Sequence, residues 1–183
     1  MRHVAPVRAE LGLRTAFNLL GPLCSPAGAN HHLLGVYAKE WVEPLAHVLA
    51  NLGSKSAWVV HGADGMDELT TTGISHVAEL KNGSIRCFEV NPADAGLPLA
   101  TLDDLEGGDA RYNAGTMLTL LQGSKTPYRD IVLLNSAAAL MVMDVATDLK
   151  NGVALAANAI DSGNAIKTLR QLVDITNQSI IIS

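Results

Sequence analysis

Hydrophobic and polar positions divide the chain into segments of different period. Ser56–Gly62, SAWVVHG, is apolar at almost every position, the pattern of a strand covered on both faces. His32–Tyr37, HLLGVY, is a second strand candidate. Between them, KEWVEPLAHVLANLG repeats at helical spacing, which predicts Trp41, Leu45, Val48, Leu49 and Leu52 on one face. Pro44 falls near the first turn, where proline is tolerated, and Gly53 marks the end. HVAELKNGSIRCFEV predicts a β-hairpin, because Asn82-Gly83 suits a two-residue turn at positive φ. DARYNAGTMLTLLQG predicts a helix capped by Asp109. YRDIVLLNSAAALMVMDVA predicts a long, nearly all-apolar and central helix. NGVALAANAIDSGNAIKTLRQLVDITNQ predicts two more, broken at Ser162-Gly163. Asn113, Asn135 and Asn158 on these helices are expected to be core polar groups with satisfied hydrogen bonds.

The first 14 residues place Val4, Val7, Leu11 and Leu13 at roughly helical spacing, ending near Gly12. No capping residue precedes them, so the pattern begins in the body of a helix and predicts more chain upstream. TAFNLLGPLCSPAGANHH is rich in Gly, Pro, Asn and Ser but carries an apolar stretch, Phe17–Leu23. That is too hydrophobic for a solvated linker and predicts an ordered loop. A strand, helix and strand followed by a hairpin and then helices make an α/β fold with a mixed sheet. At 183 residues with no composition break, one domain spanning 1–183 is expected.

Composition narrows the classes. With 48% hydrophobic and 17% charged residues the chain is globular, and with 4% aromatics its core must rest on Leu, Val, Ile and Ala. A net charge of −5 without a basic stripe argues against a nucleic-acid surface. Cys24 and Cys87 form no CxxC pair and are expected as reduced thiols. No apolar run reaches membrane-spanning length and no signal peptide opens the chain, so a soluble, cytoplasmic protein without a membrane partner is expected.

The candidate chemistry sits in WVVHGADGMDELTTTG, where three carboxylates, Asp64, Asp67 and Glu68, follow a buried strand. In open α/β sheets ligands bind beyond the carboxyl ends of the strands. Asp67 and Glu68 are adjacent and could face one hard cation such as Mg2+, which takes carboxylate oxygen and bridges to phosphates. From composition alone the commoner reading of such a loop is a solvated one, with Asp67 capping a turn. Arg2, Arg8 and Arg14 could meet a carboxylate ligand or form a solvated basic face; Arg8, six positions from each of the others, is out of helical phase with both. His3 could serve acid–base chemistry or none. The glycine-proline inside NLLGPL suggests a backbone shaped for close approach. EGGDARYNA offers a helix start, but Asp109 there favours capping over anion binding. No catalytic triad, zinc site or Walker loop is present.

RHVAPVRAELGLRTAFNLLGPLCSPA, VVHGADGMDELTTT and GGDARYNA together resemble successive signatures of anthranilate phosphoribosyltransferase, and the resemblance runs from Arg2 to about Gln178. It implies a largely parallel, mixed sheet flanked by helices, as in the large domain of the nucleoside phosphorylase and phosphoribosyltransferase family. It implies transfer of phosphoribosyl from 5-phosphoribosyl 1-diphosphate (PRPP) to anthranilate, giving N-(5-phosphoribosyl)anthranilate and diphosphate in tryptophan biosynthesis. Mg2+ would act with the diphosphate, held by Asp67 and Glu68. Arg8 would meet the anthranilate carboxylate, and Gly21 would lie against the aromatic substrate. No covalent protein nucleophile is needed. Members of this family carry an N-terminal helical domain, through which they form homodimers, a glycine-rich PRPP loop of GTGGD type and a KHGN-type segment; none of these strings occurs in this chain. An inactive fragment, a non-catalytic binding relative and a pyrimidine nucleoside phosphorylase are the alternatives, although NLLGPL and DGMDE speak against the last.

Overall fold

The computed structural model of the chain describes residues 10, 12, 17–24 and 27–178. Four strands, β1 (His31–Gly35), β2 (Ser56–Gly62), β3 (Ser75–Lys81) and β4 (Ser84–Val90), form one sheet in the order β1-β2-β3-β4. β1 and β2 are parallel and are joined through helix α2 (Val42–Asn51). β2 with β3 and β3 with β4 are antiparallel. The sheet is mixed and flanked by helices, as expected, with a smaller parallel share among the described strands. The acidic loop turns the chain straight back along β2, and the hairpin reverses it again.

β2 is buried at all seven positions because it is an inner strand covered on both faces. Its side chains alternate between two cores. Ala57 and Val59 join Leu45, Ala46 and Leu49 of α2 on one face. Trp58 and Val60 join Leu134, Ala137 and Ala138 of α4 (Pro127–Val142) on the other. Each fully covered Leu or Val there stabilises the fold by about 1.5–3 kcal/mol. Trp58 and Phe88 meet edge to face, with ring centres 5.3 Å apart at 80°. The hairpin turn is as expected: Asn82 and Gly83 adopt φ of 51° and 76°.

Helices α3 (Ala110–Leu121), α4, α5 (Leu149–Asp161) and α6 (Asn164–Thr176) follow the sheet, and short 3-10 turns stand at Lys39–Trp41, Pro92–Ala95 and Asp103–Leu105. Asp109 caps α3 by accepting from the Tyr112 amide at 2.8 Å, as expected. α4 and α5 lie so close that a Cβ on Gly152 would stand 2.7 Å from the Ala137 Cβ. Buried Arg129 secures the pair: its Nη2 donates to Asp161 Oδ2 at 2.9 Å, and Nη1 lies 2.8 Å from Oδ1.

Four expectations need correction. The segment expected as an ordered loop contains a helix, α1 (Phe17–Leu23), with Pro22 inside it. Proline lacks a donor but its φ fits a helix, and here the helix ends one residue later. Leu52 is 61% exposed and not on the inner face of α2, because the helix stops at Asn51; Val42, Leu45, Ala46 and Leu49 form that face. The long apolar helix stops at Val142, where Asp144 turns to φ 56° and accepts from Lys81 Nζ at 2.6 Å. Asn113 and Asn158 are exposed and outside the core. Asn113 exchanges hydrogen bonds with the Gly108 backbone. The expected helix over the first 14 residues lies almost wholly outside the described residues.

Candidate functional site

β1 and β2 leave the sheet side by side. The Val36 amide donates to the Val60 carbonyl at 2.9 Å, and His61 Nδ1 lies 2.8 Å from the Val36 carbonyl. The loop that follows turns at once: the Gly62 amide donates to Met66 O and the Gly65 amide to Gly62 O, both at 2.9 Å. Gly65 has φ 96°, a conformation that glycine adopts without strain.

Asp64 points into the loop. Its carboxylate accepts from the Met66 amide at 3.1 Å, from Thr70 Oγ1 at 2.5 Å and from Thr72 Oγ1 at 2.7 Å. Burial pushes its carboxyl up, but the hydrogen bonds from Thr70, Thr72 and Met66 outweigh it and hold the group below the usual carboxylate range. Thr70 extends the net, its amide donating to Ser75 Oγ at 2.9 Å. Thr70 and Thr72 of the threonine run therefore serve one carboxylate from inside, while the Thr71 hydroxyl is buried without a hydrogen-bond partner among the described residues. A Cβ on Gly62 would stand 2.5 Å from Asp64 Oδ1, so only glycine admits this packing.

Asp67 and Glu68 face the other way and are exposed. Their backbone is gripped from three directions. A Cβ on Gly35 would collide with the Asp67 carbonyl oxygen, so the loop lies directly on the end of β1. Leu69 is fully buried in the core shared with Trp58, Val60 and Leu134. Asn135 of α4 accepts from the Leu69 amide at 3.0 Å and donates to its carbonyl at 2.8 Å. Asn135 Nδ2 also lies 3.2 Å from Glu68 Oε2 and 3.0 Å from the Ile131 carbonyl. Partial burial, then the charges of Asp67 and Asp64, push the Glu68 carboxyl above its usual range. Among the described residues no ion pair reaches Asp67 or Glu68.

Among the described residues no group of three or more His, Cys, Asp or Glu is arranged to hold a metal. The loop offers two adjacent carboxylates on an open side and no closed cage. That donor set fits Mg2+, which binds through one or two carboxylates and fills its remaining positions with water and substrate phosphate.

The other expected site residues are placed differently. Arg8, with Arg2, Arg14 and His3, lies outside the described residues. Gly21 is exposed in α1, with open space where a Cβ would stand. Its neighbours Pro22 and Leu23 line a hollow with His32, Leu49 and Leu52. Those residues mark the start of β1 and the end of α2, so Gly21 stands at the opposite end of β1 from Asp67. A groove of about 550 Å³ along α3, lined by Asp109, Arg111, Tyr112 and Thr126, shares no residue with the acidic pair. Sequence reading misses two contributors. It leaves Asp64 unassigned, although the spacing from Thr70 and Thr72 is an available signal. It expects Asn135 as a core polar group, and nothing local ties that residue to a loop 66 residues away.

Comparison with known proteins follows the same elements. Residues 1–166 match the family described as "Glycosyl transferase family, a/b domain". The chain is 64% identical over 177 residues to a Parvibaculum lavamentivorans protein named anthranilate phosphoribosyltransferase, covering 97% of this chain and 52% of that one. It is 61% identical to the Rhodospirillum rubrum protein of that name, covering 96% and 50%. Among solved structures, anthranilate phosphoribosyltransferase from Thermus thermophilus superposes with a TM-score of 0.86 at 44% identity, covering 95% of this chain and 51% of that one. The Saccharomyces cerevisiae enzyme in complex with PRPP and Mg gives 0.88 at 31%, covering 95% and 50%. The same yeast enzyme in complex with 4-fluoroanthranilate gives 0.89 at 30%, covering 95% and 51%. The chain spans about half the length of the relatives it matches. By its sequence over 166 of 183 residues, and by a fold shared at up to 44% identity, this chain belongs to the glycosyl transferase family, a/b domain.

Proposed function

We propose that this chain is the α/β part of an anthranilate phosphoribosyltransferase, a cytoplasmic enzyme that transfers phosphoribosyl from PRPP to anthranilate in tryptophan biosynthesis. The observation that carries the reading is the Asp67–Glu68 pair. It stands at the carboxyl end of β2, rigidly seated on Gly35 and Leu69, with its charges unanswered and open to a ligand. The names of the relatives and the PRPP, Mg and 4-fluoroanthranilate complexes of the structural neighbours support the substrate assignment.

In this reading Asp67 and Glu68 hold Mg2+. When bound, the ion offsets the negative charge that gathers on the departing diphosphate. The residues' own part is positional. β1 and Leu69 keep the two carboxylates from retreating, and Asp64, fully engaged by its threonines, stays out of the ligand set. Arg8 would meet the anthranilate carboxylate, an assignment that rests on resemblance to the family; the like assignment of Gly21 to the anthranilate ring is at odds with its place at the far end of β1 from Asp67. Holding both substrates in line supplies much of the rate of such a transfer.

Calorimetric titration of the chain with PRPP, with and without Mg2+, tests the reading. PRPP binding that requires Mg2+, is weakened in Asp67→Asn and in Glu68→Gln singly, and is lost when both are changed is the expected result. Binding that is indifferent to Mg2+, or that survives both substitutions, would overturn it.

A further inference from the structure

We infer that Asn135, on helix α4, is a positioning residue for the acidic pair: it sets the place of the Glu68 carboxylate and locks the loop that carries it. The inference rests on the metal reading of Asp67 and Glu68 and adds a residue to it. Asn135 uses both ends of its amide. Oδ1 accepts from the Leu69 amide at 3.0 Å, and Nδ2 faces the Leu69 carbonyl at 2.8 Å, the Ile131 carbonyl at 3.0 Å and Glu68 Oε2 at 3.2 Å. An amide has two hydrogens, so these three acceptors share them. The Glu68 contact is the longest and most outward of the three, while the two carbonyls fix Asn135 itself. A side chain held by backbone on its own helix and on the loop reaches the solvent-facing carboxylate with a shared hydrogen, as the outer branch of a three-centre bond. That is the arrangement by which an outer residue orients a metal-ligating carboxylate.

The geometry also explains why a polar residue sits in the apolar stretch LLNSAAAL. Leu134 and Ala138 on the same helix are fully buried against the sheet, and Asn135, half-buried, stands at the border of that core where the loop crosses. A purely structural asparagine would need only the Leu69 and Ile131 partners. The contact to Glu68 makes the prediction specific, because it couples the effect of Asn135 to one carboxylate.

Binding of Mn2+ in the presence of diphosphate, read by electron paramagnetic resonance on the full chain, tests this. Asn135→Ala is expected to weaken Mn2+ binding about tenfold, as loss of an outer-shell partner does, with the circular dichroism spectrum unchanged. In a Glu68→Gln background the same substitution is expected to cost nothing further. Asn135→Gln keeps an amide for the loop and carries the same cycle where Asn135→Ala does not fold. An Asn135 effect equally large in both backgrounds, or no effect in the unmodified chain, would overturn the inference and leave the metal reading standing. Failure of both Asp67→Asn and Glu68→Gln to weaken Mn2+ would overturn the metal reading itself, and the inference with it.

Discussion

The loop from Gly62 to Ser75 carries three carboxylates, yet it keeps Leu69, Thr70, Thr71 and Ser75 fully from solvent. Helix α6 carries an apolar stripe through Ile166, Leu169, Leu172 and Val173, yet not one of its residues is buried. Leu172, Val173 and Ile175 are 58%, 48% and 65% exposed. The charged segment is thus the ordered one and the amphipathic segment the loosely covered one. The difference lies in partners. Asp64, Thr70, Thr72 and Ser75 meet donors or acceptors at fixed distances, and Leu69 anchors the whole in the core, although the buried Thr71 hydroxyl has no hydrogen-bond partner among the described residues. The stripe on α6 meets few neighbours, mainly on α5 and α3. A hydrophobic pattern states which face is suited to cover; it does not state that anything covers it.

The sharpest way to break the comparison is Gly35→Ala. Its Cβ would overlap the Asp67 carbonyl, so a loss of about 3 kcal/mol, at the upper end of overpacking costs, is expected from urea unfolding. A loss below about 1 kcal/mol would mean that the loop lifts freely from β1. Asp64→Ala comes next, at about 2 kcal/mol, because it removes the acceptor shared by the Thr70 and Thr72 hydroxyls and the Met66 amide, leaving the hydroxyls only each other to donate to. Its pH dependence has a definite sign. The folded-state carboxyl lies below its usual value, so its stabilisation is present above the unfolded value near about 4 and is lost as pH falls through the folded one. The stability gap between the natural chain and Asp64→Ala should therefore close on acidification below about pH 4. A gap that stays constant down to acid would refute the strut role.

Glu68→Gln sharpens the contrast within the loop. It removes a charge that its neighbours disfavour, so stability should stay within about 0.5 kcal/mol while metal binding weakens. Should it destabilise as strongly as Asp64→Ala, the two carboxylates would not divide the work as argued. The smallest effect belongs to α6. Leu172→Gln with Ile175→Gln should change unfolding stability by less than about 0.5 kcal/mol, since both side chains already face solvent. A larger loss would show that the stripe is covered in solution.

Local chemistry by itself determined the elements with strong internal signals. The apolar run SAWVVHG matches the inner strand it forms, Asn82-Gly83 the tight hairpin turn it closes, and Asp109 the cap of its helix. It also singled out Asp67 and Glu68 as adjacent carboxylates at a strand end, which short-range order suffices to show. Tertiary structure alone decided what the third carboxylate does, because Asp64 is defined by hydroxyls six and eight residues on that had to fold back to it. It alone decided the role of Gly35, whose missing side chain matters only because the loop crosses there. It alone brought Asn135 to Leu69 and Glu68 across more than sixty residues. It also placed Gly21 at the far end of β1 from the acidic pair. Patterns of period two or 3.6 report burial along one element, whereas contacts between elements depend on how the chain crosses itself, which no local pattern encodes.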